Sequence, residues 1–393
     1  MLSDFRNTSL KIGFLLSVGT LRPMKIIGLL LLLFTIIGCG GSKQDPTPII
    51  SVPSASEQSF QTAVSESFQS RGLPAVAAGL WQPGREPFLV LLGESNLETG
   101  LAVTAEDKFR IGSVTKSFTV TVLLQLVDEG RVSLEDPIGD FVPGIQNPGA
   151  TLEQMANMTS GVFNYTEDPE FLNTFVSDFQ RAWTEQELIE GANRHDPYFT
   201  PGEGWHYSNT NTVALGLVVE EATGNSLARE IESRILTPLG MDGTSYPATV
   251  EMPIPFATGY GLFEPQDDYV DLTLSSPTAS AGSGAIVSRL EDLHRWGTAL
   301  GTGELLSESS FARQLQFVSN DSCPDCPEYD GYGMGIGLLD GWRGHTGDYI
   351  GYQALVMYNP QNEHVVVILV NFKDFTAPAH VPTEIFRDFV SRL

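Results

Sequence analysis

The sequence predicts an α/β fold in which one sheet is built from both ends of the chain, with a mostly helical segment, about residues 131–280, inserted between the halves. Short β-forming runs cluster at Val76–Trp81 and Phe88–Leu92, and again at Tyr332–Leu339, Trp342–His345, Ala354–Tyr358 and Val365–Val370. Between the two clusters the chain is loop-rich and helical, broken at Asp136-Pro137, Pro143-Gly144 and Pro201-Gly202. With 393 residues, 41% of them hydrophobic, it can bury one large core or two ordinary ones.

Residues 22–42 combine a basic flank, an apolar run from Ile26 to Ile37, then Gly38 and Cys39. The run is short for a spanning helix and has the layout of an export signal. Ile36-Ile37-Gly38-Cys39 resembles the bacterial lipoprotein signal, in which the cysteine is lipidated and becomes the mature N-terminus. Residues 1–38 then read as the signal segment, with Met24 a possible start. Gly40 after the cysteine implies, by the same resemblance, the outer membrane of a cell that has two. Residues 39–58, rich in Gly, Ser, Pro and Gln, read as a tether, and residues 59–393 as the folded domain.

Within that domain a helix is expected over Gln58–Ser70, and Gln82-Pro83-Gly84-Arg85 signals a hairpin between the first two strands. Phe118, Val122, Leu123, Leu126 and Val127 recur at helical spacing from Thr115 onward, with Gly130 as a C-terminal stop. Further helices are expected over Asn211–Glu221, Ser288–Ala299 and Pro382–Val390. No internal repeat is present.

A formal charge of -26 argues against a nucleic-acid partner, because neutralising phosphates takes clustered Lys and Arg and none is found. Any anionic substrate must instead be drawn in by a local positive field. Oligomeric state is not legible.

The chemistry centres on Ser113 and Lys116, a Ser-x-x-Lys pair at the start of the Thr115 helix. A serine there faces unpaired first-turn N–H groups, and i,i+3 spacing sets the lysine on its own face of the helix. A serine hydroxyl needs a base to take its proton and donors to hold the developing oxyanion. The same spacing also suits an N-cap serine followed by a solvated lysine. Tyr207-x-Asn209 is a second candidate, since a phenol can serve as base if cations hold its pKa down. His345-Thr346-Gly347 is the third, with Gly347 allowing close backbone approach by a substrate and an edge strand offering main-chain hydrogen bonds.

Taken together, Ser113-x-x-Lys116, Tyr207-x-Asn209 and His345-Thr346-Gly347 resemble, in order, the motifs of the penicillin-recognising serine hydrolases: class C β-lactamases, serine D-Ala-D-Ala carboxypeptidases and related esterases. Leu134-Glu135-Asp136-Pro137-Ile138, Thr159-Ser160-Gly161, Pro238-Leu239-Gly240-Met241 and Ala281-Gly282-Ser283-Gly284 extend the resemblance over roughly residues 60–393. It implies a β-lactamase/transpeptidase-like fold, Ser113 as nucleophile, and Lys116 and Tyr207 sharing proton transfer. Asn209, His345, Thr346 and Gly347 would bind substrate, and the backbone N–H groups of Ser113 and Asp348 would form the oxyanion hole. No metal or other cofactor is implied. His345 stands where most β-lactamases carry lysine and matches the carboxypeptidase and esterase branches. The Asp348 side chain either faces the site, disfavouring anionic substrates, or is sent outward by strand alternation.

Cys323 and Cys326 form a C-x-x-C that reads as a local disulfide, with redox and metal roles as the alternatives. The expectation is therefore an exported, lipid-anchored serine hydrolase of the cell envelope acting on a small acyl substrate: a D-alanyl peptide, a β-lactam or an ester. A carboxylesterase or D-amino acid amidase of the same fold is the alternative within the class. A non-catalytic peptidoglycan-binding envelope protein is the alternative outside it.

Overall fold

The computed structural model describes residues 53–263, 268–319, 329–377 and 379–393. Cys39, Cys323 and Cys326, and with them the signal, lipidation and disulfide readings, lie outside the described residues. The strands in chain order are β1 (Ala75–Trp81), β2 (Phe88–Asn96), β3 (Leu101–Ala102), β4 (Phe109–Arg110), β5 (Tyr260–Leu262), β6 (Val270–Asp271), β7 (Val287–Ser288), β8 (Gly331–Tyr332), β9 (Gly337–Leu339), β10 (Trp342–Tyr349), β11 (Tyr352–Tyr358), β12 (Val365–Val370) and β13 (Phe372–Asp374). The α-helices are α1 (Ala55–Arg71), α2 (Thr115–Asp128), α3 (Leu152–Ala156), α4 (Pro169–Ser177), α5 (Glu185–Asn193), α6 (Asn209–Thr223), α7 (Leu227–Ile231), α8 (Thr237–Leu239), α9 (Leu290–Thr302), α10 (Glu308–Gln314) and α11 (Val381–Ser391). Among them none is long and apolar enough to cross a membrane.

The main sheet is antiparallel with strand order β3-β2-β1-β12-β11-β10-β9-β8. Val76 of β1 lies opposite Val370 of β12, and Trp81 opposite Val365, so the two ends of the chain share neighbouring strands. Alternation divides the side chains between two covered faces. Val76, Ala78, Leu80, Val366 and Ile368 pack with Phe60 and Val64 of α1 and Phe386 and Phe389 of α11. Ala75, Ala77, Val356, Val367 and Leu369 join Phe118 of α2 and Trp296 of α9 on the other side. Because both faces are dry, β1, β11 and β12 are buried at every residue and read in the sequence as apolar runs, interrupted only by Gln353 in β11.

Three details depart from the sequence expectation. Helix α1 begins at Ala55, inside the stretch read as tether, because Ser54 and Glu57 close a capping box that starts the helix there. Tyr332–Leu339 is not one strand but the hairpin β8–β9, since the chain reverses across Gly333–Ile336, where Gly335 takes φ +64°. The 131–280 segment is not wholly helical: β5 and β6 form a small sheet with β13. Residues 52–393 nevertheless make one compact unit.

Candidate active site

Helix α2 is buried nearly all round, which explains its hydroxyl-rich apolar sequence. Ser117 donates to the Val114 carbonyl (2.6 Å), Thr119 to the Gly282 carbonyl (2.8 Å), and Phe118 stacks on Trp296 with ring centroids 3.9 Å apart. These bonds satisfy the Ser117 and Thr119 hydroxyls inside the core, while the Thr121 hydroxyl is buried without a partner among the described residues. A single 3₁₀ turn, Gly112–Val114, leads into α2 and carries Ser113.

That turn is fixed by two glycines. Gly112 has φ +49°, and a Cβ on it would fall 2.4 Å from the Asp348 carbonyl oxygen. A Cβ on Gly347 would fall 1.9 Å from the Ile111 carbonyl oxygen. Gly347 thus makes room for the backbone of the Ser113 turn. On that side β9 pairs with β10 only over Trp342–Gly344, and beyond it β10 lies against Ile111 and Gly112. The Asp348 backbone is thereby brought beside the residue preceding Ser113.

Lys116 has no exposed surface, and its Nζ lies 2.8 Å from Ser113 Oγ, 2.6 Å from Asn209 Oδ1 and 2.9 Å from the Ser283 carbonyl oxygen. Burial holds its pKa well below the ordinary lysine value. A neutral amine has two N–H groups and one lone pair. Asn209 Oδ1 and the Ser283 carbonyl can only accept, so they take the two hydrogens and the lone pair is left facing the Ser113 hydroxyl.

Tyr207 comes from the loop before α6 and sets its ring 4.8 Å from Lys116 Nζ. Burial, with Tyr329 and Asp348 adding to it and the Ser113 hydroxyl opposing, pushes the phenol well above its usual range. The phenol is thus raised, where the role of a standing base calls for it to be lowered. Asn209, the first residue of α6, donates through Nδ2 to Asn164 Oδ1 (3.2 Å) and Thr166 Oγ1 (3.1 Å).

His345 is also fully buried. Its Nε2 lies 2.9 Å from the Tyr332 hydroxyl and its Nδ1 contacts the Thr346 carbonyl oxygen, so the ring donates through Nδ1 and accepts through Nε2. Burial, then the neighbouring Lys116, lowers its pKa to about 3. Its nitrogens are engaged by protein groups, so it stands behind the site rather than facing a substrate. Thr346 hydrogen-bonds Tyr329 through both its N–H (2.9 Å) and its hydroxyl (2.6 Å). Asp348 pairs with Lys373 and its side chain is 43% exposed, the outward alternative of strand alternation.

Ser113, Lys116, Tyr207, Asn209 and His345 therefore converge, while the Asp348 side chain turns away. Sequence reasoning missed Asn164, Thr166, Tyr329, Tyr332 and the Ser283 carbonyl. His380, which belongs to no motif in the sequence, caps α11 and lies 3.0 Å from the Gly347 carbonyl oxygen through Nε2. Among the described residues no group of three or more His, Cys, Asp or Glu is arranged to hold a metal ion.

A model of the Beta-lactamase family matches residues 60–385. Penicillin-binding protein 4* of Bacillus subtilis (strain 168) is 26% identical over 290 residues, covering 68% of this chain and 61% of that protein. Protein flp of Staphylococcus aureus (strain COL) is 23% identical over 84% of this chain and 66% of its own length. The chain thus spans less than two thirds of each of these relatives. Among solved structures, a D-stereospecific amidohydrolase from Streptomyces sp. is 31% identical with a TM-score of 0.72, covering 85% of this chain and 97% of that one. The D-amino acid amidase from Ochrobactrum anthropi SV3, complexed with D-phenylalanine, is 25% identical with a TM-score of 0.76, covering 86% and 100%. With the sheet, the inserted helices and the family match over most of its length, this chain belongs to the Beta-lactamase family of serine hydrolases.

Proposed function

We propose that the chain is an exported hydrolase that forms an acyl-enzyme on Ser113, with D-configured amides or peptides, such as D-amino acid amides and D-alanyl peptides, as its substrate class. The observation that carries the mechanism is the buried Lys116 amine, whose Nζ lies 2.8 Å from Ser113 Oγ and whose burial favours the neutral, proton-accepting form. Likeness to a D-stereospecific amidohydrolase and a D-amino acid amidase supports the substrate class.

Ser113 Oγ attacks the substrate carbonyl carbon as its proton passes to Lys116 Nζ. The carbonyl oxygen becomes an oxyanion, held by the backbone N–H groups of Ser113 and Asp348. The C–N bond then breaks as the proton on Lys116 passes, through the neutral Tyr207 hydroxyl, to the leaving nitrogen. Water attacks the acyl carbon and gives a proton to Lys116; the acyl–Oγ bond breaks, Lys116 returns that proton to Ser113 Oγ, and the acid product leaves. Tyr207 serves as a proton donor and relay rather than a standing base. Thr346 and the backbone of Gly347 line the substrate, with His345 bracing Thr346 from behind. The proposal extends to the cell envelope: the basic flank, apolar run and Cys39 are read as the lipid anchor of an exported protein.

The test is hydrolysis of paired D- and L-amino acid amides, a D-Ala-D-Ala peptide, a penicillin and a short ester, with intact mass read on the parent and on Ser113→Ala. Turnover of the D-amide or D-alanyl peptide, with an acyl adduct absent from Ser113→Ala, is expected. Parent-like turnover by Ser113→Ala would overturn the assignment, and turnover of the ester alone would point to a carboxylesterase.

A further inference from the structure

A chain of hydrogen bonds runs from the protein surface to Lys116, and groups of fixed polarity set its direction, the Glu167 carboxylate at the outer end and the Asn209 backbone N–H further in. Glu167 Oε2 accepts from the Tyr198 hydroxyl (2.7 Å), and its Oε1 accepts from Asn164 Nδ2 (3.0 Å). A carboxylate only accepts, so Asn164 must turn its NH₂ toward Glu167 and its carbonyl inward. That carbonyl accepts from Asn209 twice, through the backbone N–H (3.0 Å) and Nδ2 (3.2 Å). The Thr166 hydroxyl donates to the same oxygen (3.0 Å), which leaves its own oxygen free to accept from Asn209 Nδ2 (3.1 Å). Asn209 is thereby turned with Oδ1 toward Lys116.

The opposite polarity would be damaging. With the Asn209 amide reversed, its NH₂ would donate into the Lys116 lone pair, and the amine could no longer receive the Ser113 proton.

We infer that Glu167 is a positioning residue: its carboxylate, acting through Asn164 and Asn209, fixes the direction of hydrogen bonding that leaves the Lys116 lone pair on Ser113. This rests on the reading of Lys116 as the base.

The experiment compares Glu167→Gln, which keeps a carbonyl acceptor without the charge, with Glu167→Leu, which keeps the size without the acceptor. A fluorophosphonate, phosphonylated onto Ser113 with loss of fluoride, reports serine reactivity without assuming a substrate. Glu167→Gln is expected to label within about threefold of parent and Glu167→Leu about tenfold or more slower, a part of the 10²–10⁴ that a positioned base contributes. The Asn209 side-chain NH₂ resonance, identified by its loss in Asn209→Asp, should shift in Glu167→Leu and hold in Glu167→Gln. Labelling of Glu167→Leu at the parent rate, or equal losses in both variants, would overturn the inference. If the parent itself does not label at Ser113, the acyl-enzyme reading fails, and the resonance alone decides: an unmoved Asn209 signal refutes the relay and a moved one supports it.

Discussion

At the scale of the residue, the lysine is costly to hold. Burying an amine without a carboxylate partner favours its neutral form, so folding releases a proton that the unfolded chain keeps up to the ordinary lysine value of 10.5. Between the lowered folded pKa and 10.5 the unfolded state binds more protons, and stability must rise with pH. Lys116→Met has no such titration. As pH rises toward 10.5 from the lowered folded value, the stability of the parent relative to Lys116→Met should climb by up to about 1.4 kcal/mol per pH unit, the value for one proton. Parallel stability curves in chemical denaturation would mean that Lys116 is not neutral in the folded chain. The Ser113 and Lys116 pair was legible in the sequence because i,i+3 contact is local to one helix. Asn164, Thr166 and Glu167 were not, since they sit at a single short 3₁₀ turn, Tyr165–Glu167, too brief to show a period, and reach Asn209 only through the fold. The Ser283 contribution is a main-chain carbonyl, which no side-chain pattern announces.

At the scale of the element, the site depends on β10 lying flush against the Ser113 turn. Gly347→Ala would put a methyl group 1.9 Å from the Ile111 carbonyl oxygen, which backbone cannot avoid without moving. Overpacking of this kind costs about 1–3 kcal/mol, and the larger effect should be on activity, because the Asp348 and Ser113 amides lose their common geometry. Gly149→Ala, where a Cβ meets nothing within 4 Å, is the matched control and should leave both stability and turnover near parent. Equal behaviour of the two variants would show that the close approach is not needed. The helices α1, α2, α6, α9 and α11 and the strands β1, β11 and β12 could be read from periodicity and apolar runs. The β8–β9 reversal could not, because its glycines answer to a distant partner: a Cβ on Gly335 would meet Val120 of α2 at 2.7 Å.

At the scale of the whole molecule, the acidic charge and the N-terminal cysteine signal bear on where the proposed enzyme works. If Cys39 carries the lipid, Cys39→Ser should move the protein from the membrane pellet to the soluble fraction with its amide hydrolysis intact. Continued pelleting of Cys39→Ser would refute the anchor. The pairing of β1 with β12 has a further consequence, for synthesis. A chain made from its N-terminus presents Ser113 and Lys116 long before Val365–Val370 arrive to fill the place beside β1. Until then β10 and β11 have no sheet to join and the Ser113 turn has nothing to rest against, so sequence-distant contacts must close last. Hydrolytic competence would thus be a property of the finished chain: a ribosome-bound or prematurely ended product would carry the serine and the lysine yet be harmless to any acyl compound it met.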